Sequence, residues 1–306
     1  MCILFATRSH PDYKLILLSN RDEFFERKTH STCWNHDDFI LSPYDMAIQK
    51  KGYGHGTWLG INKHGKLAVI LNLKVDSPLI SKSATVTGET RSRGFVPLRF
   101  LEEEDNVPFE KWDSWEKFNS QHGDLEKTGP FTLFYGDASC NQYNVVDYWK
   151  HSTDPFGKKD LMVISNDVFD CSEGEHGSRW NKTEYGYVLL EALAKNTSNI
   201  GKDELLQKCF ELLSNHTYNE GEDVNSVTTS NIYVPPMRIV ENAEDIRTSL
   251  PIGDYYGTRS QIVILVGKDN KVTYEEHVIY ECDEDCEQYC FLNPKEVIHY
   301  QFDIES

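Results

Sequence analysis

Apolar residues fall in short runs towards both ends of the chain and at helical spacing in its middle. Residues 2–7 and 14–20 are apolar runs separated by Ser9-His10-Pro11-Asp12, a pattern that predicts an opening hairpin of buried strands. A stretch ending in Lys50–Gly56 reads as loop. Beyond it, residues 56–62 and 66–73 flank Lys63-His64-Gly65 and predict a second hairpin, with Gly65 free to take the positive φ such a turn can need. Residues 93–101 and 111–120 read as helices, followed by strands near 131–137, 143–149 and 161–165.

The period then changes. Trp180–Lys195 carries Tyr185, Val188, Leu189, Ala192 and Leu193 at helical spacing, and Lys202–Ser214 does the same with Leu205, Leu206, Cys209, Leu212 and Leu213. Asn215–Leu250 is polar and turn-rich around Ile232-Tyr233-Val234-Pro235-Pro236, which suggests an irregular segment near a site opening. Ser260–Val266 and Lys271–Tyr280, joined by Gly267-Lys268-Asp269-Asn270, form the clearest hairpin. Strands, then helices, then strands without an internal repeat predict helices layered on sheets, an α+β arrangement over one domain, residues 1–306.

Composition narrows the function. A net charge of −18 repels polyanions, so nucleic-acid binding is excluded as the main activity and docking on anionic membranes is disfavoured. No apolar run approaches the roughly 20 residues of a spanning helix. No basic flank and apolar stretch of the secretory kind opens the chain, so the sequons at Asn181, Asn196 and Asn215 are expected to be chance matches. The eight cysteines are then expected as reduced thiols, and the cytoplasm is the expected location.

Cys2 is the principal chemical candidate. If Met1 is removed, one residue carries both a thiol and an α-amino group, whose ordinary pKa values are near ~8.5 and ~7.7–8.0. The ammonium favours thiolate formation and the free amine can act as base, so a covalent acyl route needs no histidine. A small core residue at the start of a strand would also fit this position.

The opening Met1-Cys2-Ile3-Leu4-Phe5 and Leu18-Ser19-Asn20-Arg21-Asp22-Glu23-Phe24-Phe25-Glu26-Arg27 resemble the signature of the NRDE family, which includes the transport-and-Golgi-organisation protein 2 group. Gly56-Thr57-Trp58-Leu59-Gly60-Ile61-Asn62, Leu67–Asn72, Ile164-Ser165-Asn166 and Tyr256-Gly257-Thr258-Arg259-Ser260 resemble further motifs of that group in the same order. The family is similar to N-terminal-nucleophile hydrolases, which implies a four-layer αββα sandwich, and cysteine amidases such as the choloylglycine hydrolases are the closest pattern.

Carried over on matching positions, the resemblance implies Cys2 as nucleophile, Asp22 as the carboxylate holding the free amine, and Asn72 and Asn166 as oxyanion donors. Arg21, Trp58 and Arg259 are expected to bind substrate, Arg259 by bidentate pairing with an acidic group. Structural alternatives stand beside these roles: an ion pair within Arg21–Arg27 for Asp22, turn initiation for either Asn, and a structural ion pair for Arg259. The chain also departs from the amidase pattern. Ser19 stands where those enzymes carry an arginine, and Arg21, beside Asp22, should project from the opposite side of a continuing strand.

The resemblance further implies roles in Golgi organisation and secretion, haem mobilisation and lipid metabolism, with association at the Golgi or mitochondria. The rival to an amide-bond hydrolase is therefore a non-enzymatic haem or lipid trafficking factor using the same pocket. A small-molecule amide, a lipid-like molecule or haem is the expected ligand, and no cofactor is required. Cys282, Cys286 and Cys290 are spaced by four, but with no clear fourth ligand no metal site is expected.

Overall fold

The computed structural model describes residues 2–50, 54–74, 92–103, 107–123, 125–156, 159–167, 180–217, 222–238, 255–281 and 293–305. Two antiparallel sheets dominate. The first runs β11 (Leu161–Ile164), β1 (Ile3–Thr7), β2 (Tyr13–Phe24), β13 (Tyr255–Gly267), β14 (Lys271–Val278) and β15 (Glu296–Asp303), with β12 (Met237–Arg238) pairing β13. The second runs β10 (Ser152–Thr153), β9 (Gln142–Asp147), β8 (Phe131–Asp137), β7 (Lys66–Asn72), β6 (Leu59–Asn62), β4 (Ile40–Lys50) and β3 (Thr29–Asn35), with β5 (Gly54–Gly56) on β4.

Strand alternation sorts the apolar residues into layers. Leu4, Ala6, Leu15, Leu17, Ile262 and Ile264 of the first sheet meet Leu59, Leu67, Val69 and Phe134 of the second in one buried cluster between the sheets. Their strand neighbours Ile3, Phe5, Ile16, Leu18, Val263 and Leu265 face outwards, against α3 (Asn181–Asn196) and α4 (Lys202–Leu213). On the far face of the second sheet, Ala68, Leu133 and Tyr135 pack with α1 (Phe95–Leu101) and α2 (Trp115–His122). The order is helix, sheet, sheet, helix: the four-layer αββα sandwich expected from the resemblance.

Several boundaries differ from the sequence expectations. The stretch before Gly56 is not loop throughout, because β3 and β4 pair around His36, Asp37 and Asp38, whose φ values are 52°, 56° and 61°. Their run of polar, left-handed residues hides a hairpin whose strands are only half apolar. The helix expected over 111–120 begins at Trp115, capped by Ser114, whose hydroxyl accepts from the Lys117 N–H. Within Asn215–Leu250, α5 (Val224–Ser230) and β12 are ordered elements. The exposed edge strand β15 lacks a strong apolar run and was not expected. Cys282, Cys286 and Cys290 lie outside the described residues.

The α3 stripe also differs. Its buried residues are Lys182, Thr183, Gly186, Leu190, Leu193 and Ala194, whereas Tyr185 and Val188 are 41% and 61% exposed. Gly186 allows the close approach: a Cβ there would lie 2.7 Å from Cε1 of the fully buried Phe5. Gly186→Val is expected to force α3 off the sheet and to destabilise the fold by about 1–3 kcal/mol, read as a lower urea midpoint; an unchanged midpoint would show that the helix can shift without loss.

Candidate functional site

The register of three neighbouring strands builds the site. Ile3 pairs Asn20 across β1 and β2, and Leu4 pairs Ile164 across β1 and β11. One residue further, Cys2 stands between Arg21 and the segment Ser165-Asn166. The Ser165 hydroxyl donates to the Cys2 carbonyl at 2.7 Å, and Asp22 pairs Thr258 on β13. Cys2 packs against the inter-sheet core with Leu4 and Ala6, so its sulfur belongs to that face.

Because β2 continues to Phe24, alternation sends Arg21 and Asp22 to opposite faces, as the sequence implied. The Arg21 guanidinium lies 4.2 Å over the ring of Trp58, in the link between β5 and β6, and 3.7 Å from a Glu23 carboxylate oxygen. On the helix face, Asp22 Oδ1 accepts from the Thr258 hydroxyl at 2.7 Å, and Oδ2 lies 3.9 Å from Lys182 Nζ. Arg27, by contrast, takes Asp45 at 3.0 Å and Glu23 at 3.6 Å. The Asn20 amide donates to the Leu213 and Ile232 carbonyls, tying the strand to the end of α4. Each residue of Asn20–Glu23 thus has a different duty.

Burial raises the pKa of the Cys2 thiol and so does the Asp22 carboxylate, while the positive amino terminus and Arg21 pull it down. Burial likewise raises Asp22, opposed by the amino terminus, then Lys182 and the Thr258 hydrogen bond. Lys182 is lowered by burial against the pull of Asp22, Cys2 and Asp167.

The two asparagines meet at the other side of Cys2. The Asn166 amide donates to the Asn72 carbonyl, the Lys74 N–H donates to the Asn166 carbonyl at 2.7 Å, and the Asn72 side chain is exposed at the end of β7. The amide of Asn166 is thereby directed at backbone, and Asn72 presents the open side chain.

Arg21, Trp58 and Arg259 line one shallow cleft with Ser260, Glu276 and Tyr280. Arg259 sits at the bulge of β13, and its guanidinium donates to the Phe24, Arg27 and Tyr280 carbonyls. Gly56 and Thr57 serve packing: a Cβ on Gly56 would lie 2.8 Å from the Gly94 backbone, and the Thr57 hydroxyl donates to the Pro43 carbonyl at 2.6 Å.

Sequence reasoning missed Thr258, although it lies inside a quoted motif, and Lys182. The signal for Lys182 was its place four residues before Gly186 and eight before Leu190, on the buried stripe of α3. Among the described residues no cluster of His, Cys, Asp and Glu could hold a metal, and no helix is long and apolar enough to cross a membrane.

A four-layer αββα sandwich with a cysteine at the start of a central strand, beside a buried carboxylate, defines the class of molecule. The chain belongs to the transport and Golgi organisation 2 family, whose model matches residues 1–281. An uncharacterized protein of Saccharomyces cerevisiae is 44% identical, with 99% of each chain covered. The transport and Golgi organization protein 2 homolog of Homo sapiens is 28% identical, with 100% of each covered. Solved structures similar at lower identity include the conjugated bile acid hydrolase from Clostridium perfringens, 12% identical with a TM-score of 0.43, covering 99% of this chain and 98% of that one. The Caenorhabditis elegans orthologue of N-acylethanolamine-hydrolyzing acid amidase is 10% identical with a TM-score of 0.46, covering 87% and 92%.

Arg259→Met would leave the Phe24 and Tyr280 carbonyls without these donors in a buried place. The expected loss is about 1–3 kcal/mol of stability, measured by chemical unfolding. A variant as stable as the parent would free Arg259 for a purely ligand-binding role.

Proposed function

We infer that the protein is an N-terminal-cysteine amidohydrolase of the transport and Golgi organisation 2 family, acting on a small-molecule amide. The observation that supports this reading is the strand register, which extends to set Cys2 beside Arg21 and Asn166, next to the buried Asp22, with the Asn166 amide donating to the Asn72 carbonyl. Removal of Met1 leaves the Cys2 α-amine beside Asp22 and the sulfur on the face of Arg21. The amine accepts the thiol proton, and the sulfur attacks the amide carbonyl carbon, forming a C–S bond. Asn72 donates to the developing oxyanion. The C–N bond then breaks as the α-ammonium returns its proton to the leaving amine, and water hydrolyses the thioester to a carboxylate and free thiol.

The cleft lined by Arg21, Trp58 and Arg259 receives the acyl or amine portion, with Trp58 offering a ring and Arg21 a cation. The names of the human and other relatives extend the proposal to a part in transport and Golgi organisation.

Intact mass of the protein from its native host is expected to show loss of Met1, and an acylating activity probe should label Cys2 and leave Cys2→Ser protein unlabelled. Equal labelling of both overturns the hydrolase. Asn72→Ala should lower kcat/KM roughly 10²–10³-fold, the cost of one oxyanion donor. Saturable binding of haem or lipid that survives Cys2→Ala, with no probe labelling, would point instead to a carrier.

A further inference from the structure

Lys182 is the charged residue of the site that neither the motifs nor the reaction above explains. It lies in the first turn of α3, its side chain is wholly buried, and Nζ has no hydrogen-bond partner among the described residues. The ammonium lies 3.9 Å from Asp22 Oδ2, beyond hydrogen-bond reach, and 5.4 Å from the centre of the Trp180 ring. Burying a lysine without hydrogen bonds is costly unless an opposite charge compensates it, and Asp22 is the carboxylate that faces it.

The helix is docked so that this charge stays in place. The Asp167 carboxylate accepts from the Trp180 N–H at 2.7 Å and the Thr183 hydroxyl at 3.3 Å, fixing the start of α3 on both sides of Lys182. The groups that face Lys182 are Asp22 from β2, Cys2 at the start of β1 and Asp167 after β11. Arg21, on the opposite face of β2, also acts on Asp22.

This placement resolves a conflict in the chemistry. A bare carboxylate beside an α-amine orients it but also stabilises the ammonium, the form that cannot accept a proton from the thiol. A cation on the far side of the carboxylate offsets that pull while leaving the hydrogen-bond acceptor in place.

We propose that Lys182 is a positioning residue of the Cys2 site, balancing the Asp22 carboxylate so that Asp22 orients the freed Cys2 amine without locking the proton on it. The proposal rests on the hydrolase reading, since it assigns the amine as base. Lys182 acts on the nitrogen of Cys2 through the helix face, while Arg21 acts on its sulfur from the inter-sheet face.

The test is the pH midpoint for acetylation of the Cys2 α-amine by acetic anhydride in the full, Met1-processed protein. Thioesters are removed with hydroxylamine, and the amino-terminal peptide is read by mass. Loss of the cation in Lys182→Met should raise the midpoint by about one pH unit and slow acetylation at neutral pH roughly tenfold, whereas Lys182→Arg should keep the parent midpoint. A residue that only packs would lower stability and leave the midpoint where it was, so a folded Lys182→Met with the parent midpoint overturns the proposal. Should that variant not fold, 15N-lysine NMR of the parent decides: a charged Nζ at pH 7 supports the balance and a neutral one refutes it. Retention of Met1 sinks both this and the hydrolase. A midpoint that moves in a protein whose Cys2 sulfur is not labelled by the acylating activity probe refutes the hydrolase alone.

Discussion

The pairing of β1 with β2 is the constraint on which the rest depends. Ile3 opposite Asn20 fixes which residues of Asn20–Glu23 stand beside the start of the chain and which face each presents. A slip of one residue would exchange the faces of every side chain on β2. Arg21 would then point at α3 and Asp22 into the core between the sheets. The buried alternation of Leu15, Ile16, Leu17 and Leu18 resists that slip, because odd positions fill the inter-sheet cluster and even positions the helix-facing one. Packing far from the site therefore holds the chemistry in register.

The long strands were legible because their apolar runs are continuous, as central strands covered on both faces must be. The hairpin turns were legible where Gly65 or the Gly267–Asn270 segment punctuates them, and Gly65 indeed has φ 89°. What escaped is the half-exposed periphery, β3, β4 and β15, where polar residues alternate with modest apolar ones and single-sequence patterning is weak. The α3 stripe escaped for a different reason. Its buried line begins with Lys182 and passes through Gly186, so counting apolar residues selects Tyr185 and Val188 on the wrong side.

The site shows the same division. Cys2, Asp22, Asn72 and Asn166 were nominated through motifs at strand ends; antiparallel pairing of β11, β1 and β2 brings three of those ends together, and Asn72, on the other sheet, is reached by the Asn166 amide. Motifs cannot report where hydrogen-bond capacity goes. The amide of Asn166 meets the Asn72 carbonyl, and the guanidinium of Arg259 meets carbonyls of β2, its following loop and Tyr280. Lys182 belongs to no motif and enters only when α3 is docked.

The departure from the amidase pattern can now be placed physically. Positions 19 and 21 share one face of β2, the face of Leu15, Leu17 and Cys2, so an arginine at 21 instead of 19 is translated along that face by one pleat repeat, about 7 Å. Ser19 is opposite Leu4, whereas Arg21 stands beside Cys2 itself. The Arg21 cation lies over the Trp58 ring, and both side chains line the cleft. Asp22, on the other face, has Lys182 of α3 at 3.9 Å in addition to the influence of Arg21. Two cations therefore flank one strand end, Arg21 on the inter-sheet face and Lys182 on the helix face.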